Sequence, residues 1–559
     1  MRRRGAPGMD EANKITVGDW LNAFAAATSK GDGEAVAGLF HDECFWRDYL
    51  PFGWTLQTVE GRADIAEFAA RHGGRTGFAD AEFEGRPDEQ EGLFRFRTNE
   101  GSGRGYIRLT DGLCTTLFTM LTDLDDDAAT PEPVGDDPFV LIVGGGQGGL
   151  ALGAQLADLG VPYLIVDRHP RVGDQWRSRY ETLVLHDPVW YDHMPFKPFP
   201  DNWPVFTPKD QIADWLEDYA RTLDLAVQTG TELTGASYDA ADGRWSGRLT
   251  GPDGERVMRP AHLVFALGIS GFPRVPDFAG KDDFAGQQVH SSGFRAGPEI
   301  DGENVVIIGA NNSAHDIAVE VLAHGGAPTM VQRSSTLVVR QSDFCERLMG
   351  GLYSAEAVAR GITTDKADII AASLPTRLLE KAQIPVWDKL REDRRDYYQS
   401  LTDAGFTLDF AEDGAGLGLK YRRTASGYYI DVGASGMVID GRIGIRSGHG
   451  VERLTEAGVR LTSGEELPAD LIVYATGYGS MSDWIAHLID EETAERVGPC
   501  WGYGSGTRGD PGPWVGEQRN MWMETAQPGL WLTGGNLAQA RFCSRLLGLQ
   551  LRKRLVDKG

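Results

Sequence analysis

The sequence predicts an α/β fold in which two nucleotide-binding units follow a smaller α+β module. Three observations carry that prediction. Twice, a strand-length apolar run opens onto a glycine-rich turn: Gly144-Gly145-Gly146-Gln147-Gly148-Gly149, then Gly309-Ala310-Asn311-Asn312-Ser313-Ala314. Each turn leads into a helical stretch and a second apolar run, the strand–turn–helix–strand unit of a doubly wound parallel sheet. Ahead of both, Asp123 to Asp137 holds six aspartates, one glutamate and two prolines, the composition of a solvated linker that cannot build a core.

In the first unit, Phe139-Val140-Leu141-Ile142-Val143 reads as a strand buried on both faces. Gly144 suits the tight turn, Gly146 the close approach of a pyrophosphate, and Gly149 helix–strand contact, with Gly148 between them. Leu150 to Leu159 predicts a helix, ended by Gly160 and Pro162. Tyr163-Leu164-Ile165-Val166 is the next strand and closes on Asp167, 23 residues after Gly144, with Arg168 beside it. A carboxylate there accepts hydrogen bonds from a ribose hydroxyl, while N–H groups at the helix start hold the pyrophosphate. Together these make a Rossmann-type dinucleotide site.

The second unit repeats the plan with two differences. Val305-Val306-Ile307-Ile308 is its strand, Gly309 its turn glycine, and Ser313 to Ala323 its helix. Asn311 takes the middle glycine position, a departure that Asn's tolerance of positive φ makes survivable. Pro328-Thr329-Met330-Val331-Gln332 ends on Arg333-Ser334-Ser335, with no acid. An arginine at that point suits a 2′-phosphate, which a carboxylate would repel, so NADPH is expected over NADH. Asn312 and Ser313 complete the expected phosphate contacts. Arg340, just past this strand, is a candidate contact for NADPH or substrate.

Between the turns lies Phe284-Ala285-Gly286-Gln287-Gln288-Val289-His290-Ser291-Ser292-Gly293-Phe294. Fingerprint, FxGxxxHxxxF and second fingerprint, in that order, resemble the class B flavin-containing monooxygenases with two dinucleotide domains. Gly173-Asp174-Gln175-Trp176-Arg177 resembles the loop that lies near the flavin in that family. Leu185-His186-Asp187-Pro188 and Met194 to Pro200 resemble a stretch of the plant YUCCA-type members. Ala266-Leu267-Gly268 and Tyr474-Ala475-Thr476-Gly477-Tyr478 resemble its two ATG-type exit strands. The resemblance covers about residues 138–559.

The resemblance implies FAD on the first turn, with Gln175, Trp176 and His186 near it, and NADPH on the second, with Thr476, Gly477 and Tyr478 at the cofactor junction. It implies insertion of one oxygen atom of O2 into a small organic substrate through a C4a-(hydro)peroxyflavin. Phe294, where Baeyer–Villiger members usually carry Trp, favours S- or N-oxygenation or oxidative decarboxylation of an α-keto acid. Baeyer–Villiger oxygenation of ketones is the alternative, and a non-oxygenating flavin oxidoreductase with a ligand- or partner-binding N-terminal module is a second one. Phe284, Gly286, His290 and Phe294 are read as structural, with Gly286 in a tight turn and His290 bonding backbone at the domain junction. No catalytic side chain is assigned. The family's asparagine beside the flavin has no counterpart at His186-Asp187-Pro188.

The region before the linker reads as an independent module. Val17 to Phe40 shows helical apolar spacing, Glu60-Gly61-Arg62-Ala63-Asp64-Ile65 opens another helix, and Ala81–Glu84, Gly92–Thr98, Gly105–Thr110 and Cys114–Leu124 read as antiparallel strands. This order resembles the nuclear-transport-factor-2-like or SnoaL-like cone fold. His41 and Asp42 are expected to cap a helix end, and the module to be accessory or to mediate a homodimer rather than to catalyse. The insertion from Gln341 to about Ile445 is expected to supply part of the substrate pocket, with a helix over Lys366–Ala382 broken at Pro375, a charged helix over Trp387–Leu401, and Tyr421, Tyr428 and Tyr429 as packing. The domain boundaries then fall at 1–124, 125–137, 138–298 (FAD, first part), 299–448 (NADPH, with the insertion) and 449–559 (FAD, second part).

Composition excludes several classes. A net charge of −26 argues against nucleic acid and anionic membranes as partners. No run of about 18 apolar residues offers a membrane span, and Met1-Arg2-Arg3-Arg4 has no apolar stretch behind it to make a signal peptide. Five widely spaced cysteines without CxxC argue against disulfide-reductase chemistry and fit a reducing cytoplasm. No His/Cys cluster has the spacing of a metal site.

Overall fold

A computed structural model describes residues 15–125 and 137–557, so the expected linker and the basic start lie almost wholly outside the described residues. The chain forms two compact units. One is the N-terminal region together with Asp365–Thr376; the other is the rest.

The N-terminal unit is a six-stranded sheet with three helices of the N-terminal region and most of helix Thr364–Ala372. Helices Val17–Thr28 and Gly33–Ala37 replace the single expected helix. Gly31 at φ +63 and Asp32, whose carboxylate accepts from Ala35 N at 3.0 Å, restart the chain between them. Strand Phe40–Tyr49 then runs where a helix end was expected. His41 and Asp42 therefore cap nothing; Asp42 pairs with Arg62 at 3.2 Å. A bulge between Phe40 and Phe45 breaks the alternation of this strand, which hid it from a period-two reading.

Leu56–Glu60, helix Arg62–Thr76, Ala79–Phe83, Glu91–Arg97, Ser102–Thr110 and Leu113–Leu121 follow. Strand Phe40–Tyr49 pairs in parallel with Leu113–Leu121, and every other neighbour is antiparallel. Trp20, Phe24, Phe40, Trp46, Phe52 and Phe68 share one buried core. Within the same unit Arg104 meets Asp365 at 2.5 Å and Arg47 donates to the carbonyl of Ala372, also at 2.5 Å.

The second unit holds two five-stranded parallel sheets. The first orders Leu530–Leu532, His262–Phe265, Val140–Val143, Tyr163–Val166 and Val227–Gln228. The second orders Gln287–His290, Leu471–Tyr474, Asn304–Ile308, Ala327–Gln332 and Gly444–Ser447. Each sheet centres on the strand that feeds a glycine turn. Strands Gln287–His290 and Leu471–Tyr474, assigned by the sequence boundaries to the first dinucleotide domain, belong to the second sheet. Each half also carries an antiparallel three-strand meander, at 232–258 and 451–468.

The insertion contributes a small parallel sheet of Leu408–Asp409, Thr336–Arg340 and Tyr428–Asp431. Its helices include Thr364–Ala372, Thr376–Asp393 and Arg395–Asp403, with Pro375 in the break between the first two. The residues to Ala372 that were expected within the dinucleotide half thus cluster with the N-terminal unit. Among the described residues no helix is long and apolar enough to cross a membrane.

Candidate functional site

The two glycine turns share one geometry. Gly144 sits at φ +112, and a Cβ there would lie 2.4 Å from the carbonyl of Ala266. Gly309 sits at φ +133, and a Cβ would lie 2.3 Å from the carbonyl of Ala475. Each first glycine thus abuts the exit of its neighbouring ATG-type strand, at distances no side chain can meet. Gly149 has the carbonyl of Gly144 at 1.9 Å from its missing Cβ, whereas at Gly148 the nearest atom is 3.9 Å away.

At the second middle position the reason differs from expectation. Gly146 has φ −81 and Asn311 has φ −102, so neither needs left-handed backbone. What the position demands is room. Helices Gln147–Asp158 and Asn312–Ala323 both begin without a side-chain cap, which leaves their first N–H groups for an anion.

Asp167 is already engaged. One oxygen accepts from Gly145 N at 2.6 Å, and the other from the backbone and ring of His169, each at 2.8 Å. These bonds hold its carboxyl below the usual range against the cost of burial. Lone pairs remain for a ribose hydroxyl. Arg168 is exposed beside it. Gln175 donates to Gln147 at 3.2 Å across the turn, and Trp176 packs half-buried on the first core with its indole N–H unpaired.

On the second side, Asn311 accepts from the Thr336 hydroxyl at 3.3 Å, and Asn312 from Ile430 N at 3.0 Å. Both side chains thereby fasten the turn to the insertion sheet, a reason for Asn that the glycine pattern could not give. Ser313 is half-buried at the helix start. Arg333 and Ser334 are exposed, and among the described residues no ion pair ties Arg333 down. Arg340, expected near cofactor or substrate, is instead bound to Asp343 at 2.8 Å, a buried carboxylate that also takes Arg394.

The central motif ties together two neighbouring strands of the second sheet. His290 donates to the carbonyl of Gly477 at 3.0 Å and sits edge-on to Tyr478 at 5.1 Å. The hydroxyl of Thr476 bonds the carbonyl of Arg274. Gly286 is not at positive φ; its missing Cβ would lie 2.3 Å from the carbonyl of Asp470, so close approach explains this glycine. Phe284 and Phe294 are buried in separate cores.

Sequence reading missed a polar cluster beyond His186. Asp187 keeps accessible surface, yet burial raises its carboxyl to about 6. Burial and the neighbouring charge of Asp187 raise Asp192 as well. Tyr191 accepts from Asn536 at 3.2 Å, and Tyr421 donates to Gln539 at 2.8 Å, so both hydroxyls sit on the capping box of the last helix. Tyr428 lies edge-on to Tyr421. Tyr421 and Tyr428, expected as packing, thus border a half-buried carboxylate; Tyr429 does pack, stacked on His315 at 3.8 Å. Burial holds the Cys345 thiol up at about 12, which leaves it unreactive. Only a contact pattern spanning residues 187 to 539 could have found this cluster.

Glu181, Glu320 and His324 bring ligand atoms within 4.8 Å of one another. Both Glu320 oxygens accept backbone N–H groups, from Glu181 at 3.1 Å and Thr182 at 3.0 Å, so the group ties a loop to a helix.

Known proteins share this arrangement. The pyridine nucleotide-disulphide oxidoreductase family profile matches residues 141–373. All five cysteines are free, so the likeness lies in the fold and not in a disulfide. The chain is 32% identical over 363 residues to indole-3-pyruvate monooxygenase YUCCA1 of Oryza sativa subsp. japonica, covering 64% of this chain and 82% of the relative. It is 28% identical to probable indole-3-pyruvate monooxygenase YUCCA3 of Arabidopsis thaliana, covering 62% and 74%. OTEMO, solved as a complex with FAD and NADP, shares the fold with a TM-score of 0.55 at 15% identity, over 76% of this chain and 87% of its own. On this likeness and on the paired turns that underlie it, the chain belongs to the flavin-containing monooxygenase family that includes the YUCCA proteins.

Proposed function

We propose that this protein is an FAD- and NADPH-dependent monooxygenase that inserts one oxygen atom of O2 into a small organic substrate. The observation that carries it is the pair of uncapped helix starts, each behind a first turn glycine where no Cβ fits. The residues fit the two groups. Gly146 leaves space for the FAD pyrophosphate, Asp167 keeps lone pairs for its ribose, and Arg333 is free for the NADPH 2′-phosphate. When bound, FAD supplies the redox chemistry, accepting hydride from NADPH and activating O2.

The chain's own contribution is geometry and electrostatics. The hydroxyls of Tyr191, Tyr421 and Tyr428 lie close enough to Asp187 to feel its charge. With a carboxyl at about 6, Asp187 can hold or release a proton at its side chain near neutral pH. The substrate class we favour is a soft sulfur or nitrogen centre or an α-keto acid, the last supported by the name of the rice relative. The N-terminal unit is read as a cone-fold module with an accessory role.

The test is to mix purified protein with NADPH without oxygen, admit oxygen rapidly and follow flavin absorbance and product. Bleaching by NADPH followed by an oxygenated product is expected. Absence of bound flavin would defeat the reading, and an ester from a ketone would redirect it to Baeyer–Villiger chemistry.

A further inference from the structure

Helix Asn312–Ala323 presents a polar stripe at positions 312, 316 and 320, one face of a helix, half-buried at Asn312 and buried at the other two. Asn312 accepts from Ile430 N of the insertion sheet. Asp316, one turn on, accepts from the Tyr180 hydroxyl at 2.7 Å and lies 3.8 Å from Nε2 of His186. Glu320, one turn further, takes the N–H groups of Glu181 and Thr182. The helix that begins at the second dinucleotide turn therefore grips residues 180–186 with two buried carboxylates.

Holding a loop does not require that chemistry. An apolar face of similar volume would do it without desolvating charge, and buried carboxylates are costly. Burial raises Asp316, against the attraction of His186 and the Tyr180 bond. Directly beyond His186 comes Asp187, the half-buried carboxylate among the tyrosines. Gln341, from the insertion, fixes the same place by donating to the carbonyl of His186 at 3.2 Å.

We propose that Asp316 is a positioning residue for the reaction, holding the His186–Asp187 stretch in place from the helix that carries the NADPH turn. The proposal rests on the reading that the two turns take FAD and NADPH. It assigns Asp316 no contact with cofactor or substrate; its action passes through His186.

The test uses the FAD-loaded full chain. Asp316→Asn keeps the shape and removes the charge. Expected are an unchanged flavin content and melting temperature, NADPH affinity within about threefold, and a limiting rate of anaerobic flavin reduction lowered about tenfold, the scale of losing an outer-shell partner. The change in flavin absorbance on titration with NADP+ should also shrink, a readout that needs no turnover. Combined with His186→Gln, the loss should not exceed that of either single change, because both act on one contact.

A folded, loaded Asp316→Asn with the wild-type limiting rate overturns the proposal, as do additive losses. If that variant fails to load flavin, Tyr180→Phe, which removes only the hydroxyl on the same carboxylate, decides: a lowered rate supports the proposal and an unchanged one overturns it. A wild-type chain that binds flavin but is reduced by neither NADPH nor NADH overturns the underlying reading as well.

Discussion

The ring of His290 donates to the carbonyl of Gly477 at 3.0 Å. The two residues end neighbouring parallel strands, in which His290 sits opposite Tyr474, and Gly477 turns away at φ +79. The bond thus pins the exit turn of one strand to the end of another within the second sheet.

Replacing His290 with Ala should cost about 0.5–1.5 kcal/mol, the net contribution of one hydrogen bond at a half-buried place. Thermal unfolding of the loaded protein checks this, with His290→Gln, which keeps a donor, as the milder variant. Burial also holds the imidazole below its ordinary 6.5. A folded-state value below the unfolded one means that this contribution is present above 6.5 and is lost as pH falls through the lower folded value. The difference between wild type and His290→Ala should therefore shrink in acid.

Arg333 is exposed and unpaired at the end of its strand, as a 2′-phosphate contact requires. Arg333→Ala should raise the Michaelis constant for NADPH by about tenfold or more, since a charge-assisted bond contributes roughly 1.5–3 kcal/mol. The constant for NADH should hardly move. Equal changes for both nucleotides would remove the 2′-phosphate role.

Neighbouring glycines of the first turn should behave oppositely. Gly149→Ala places a methyl 1.9 Å from the carbonyl of Gly144 and should prevent stable folding of the first dinucleotide half. Gly148→Ala meets nothing nearer than 3.9 Å. It should leave the unfolding free energy of flavin-free protein unchanged or raise it, by up to about 1 kcal/mol from helix propensity. If the pyrophosphate crosses this turn, the same methyl weakens FAD retention, measured as flavin per chain after gel filtration.

Asp48 is fully buried in the N-terminal unit, where it accepts from Gly53 N at 2.9 Å and the Thr119 hydroxyl at 2.8 Å. Burial raises its carboxyl to about 7, from an ordinary 3.8. A raised folded-state value stabilises fully below 3.8 and ceases to do so as pH rises through about 7. Amides of Trp46 to Gly53 in the full chain should therefore exchange with deuterium more slowly at about pH 5 than at about pH 8, after correction for intrinsic rates. Asp48→Asn should flatten that dependence.

The dinucleotide halves were legible because their signals are local. A four-residue apolar run, a glycine turn and a helix lie within some twenty positions, and strand Tyr163–Val166 falls where the run ends. The strand Phe40–Tyr49 was not legible, because its bulge mixes polar and apolar residues on both faces. The reason for Asn311 was hidden too, since its partner Thr336 lies on a separate strand. Asp187, Tyr191, Tyr421 and Asn536 are drawn together by tertiary packing alone. Nothing in their spacing distinguishes them from loop residues.

Arg104 and Arg47 of the N-terminal region hold Asp365 and the carbonyl of Ala372, residues encoded more than 250 positions later. The N-terminal module is therefore not a cassette that can be clipped off the gene. Its deletion would strand a stretch of the insertion without its arginine partners, and a transplant into another oxygenase would arrive without the peptide that completes it. Whatever the module contributes, it is completed by a segment from the middle of the chain.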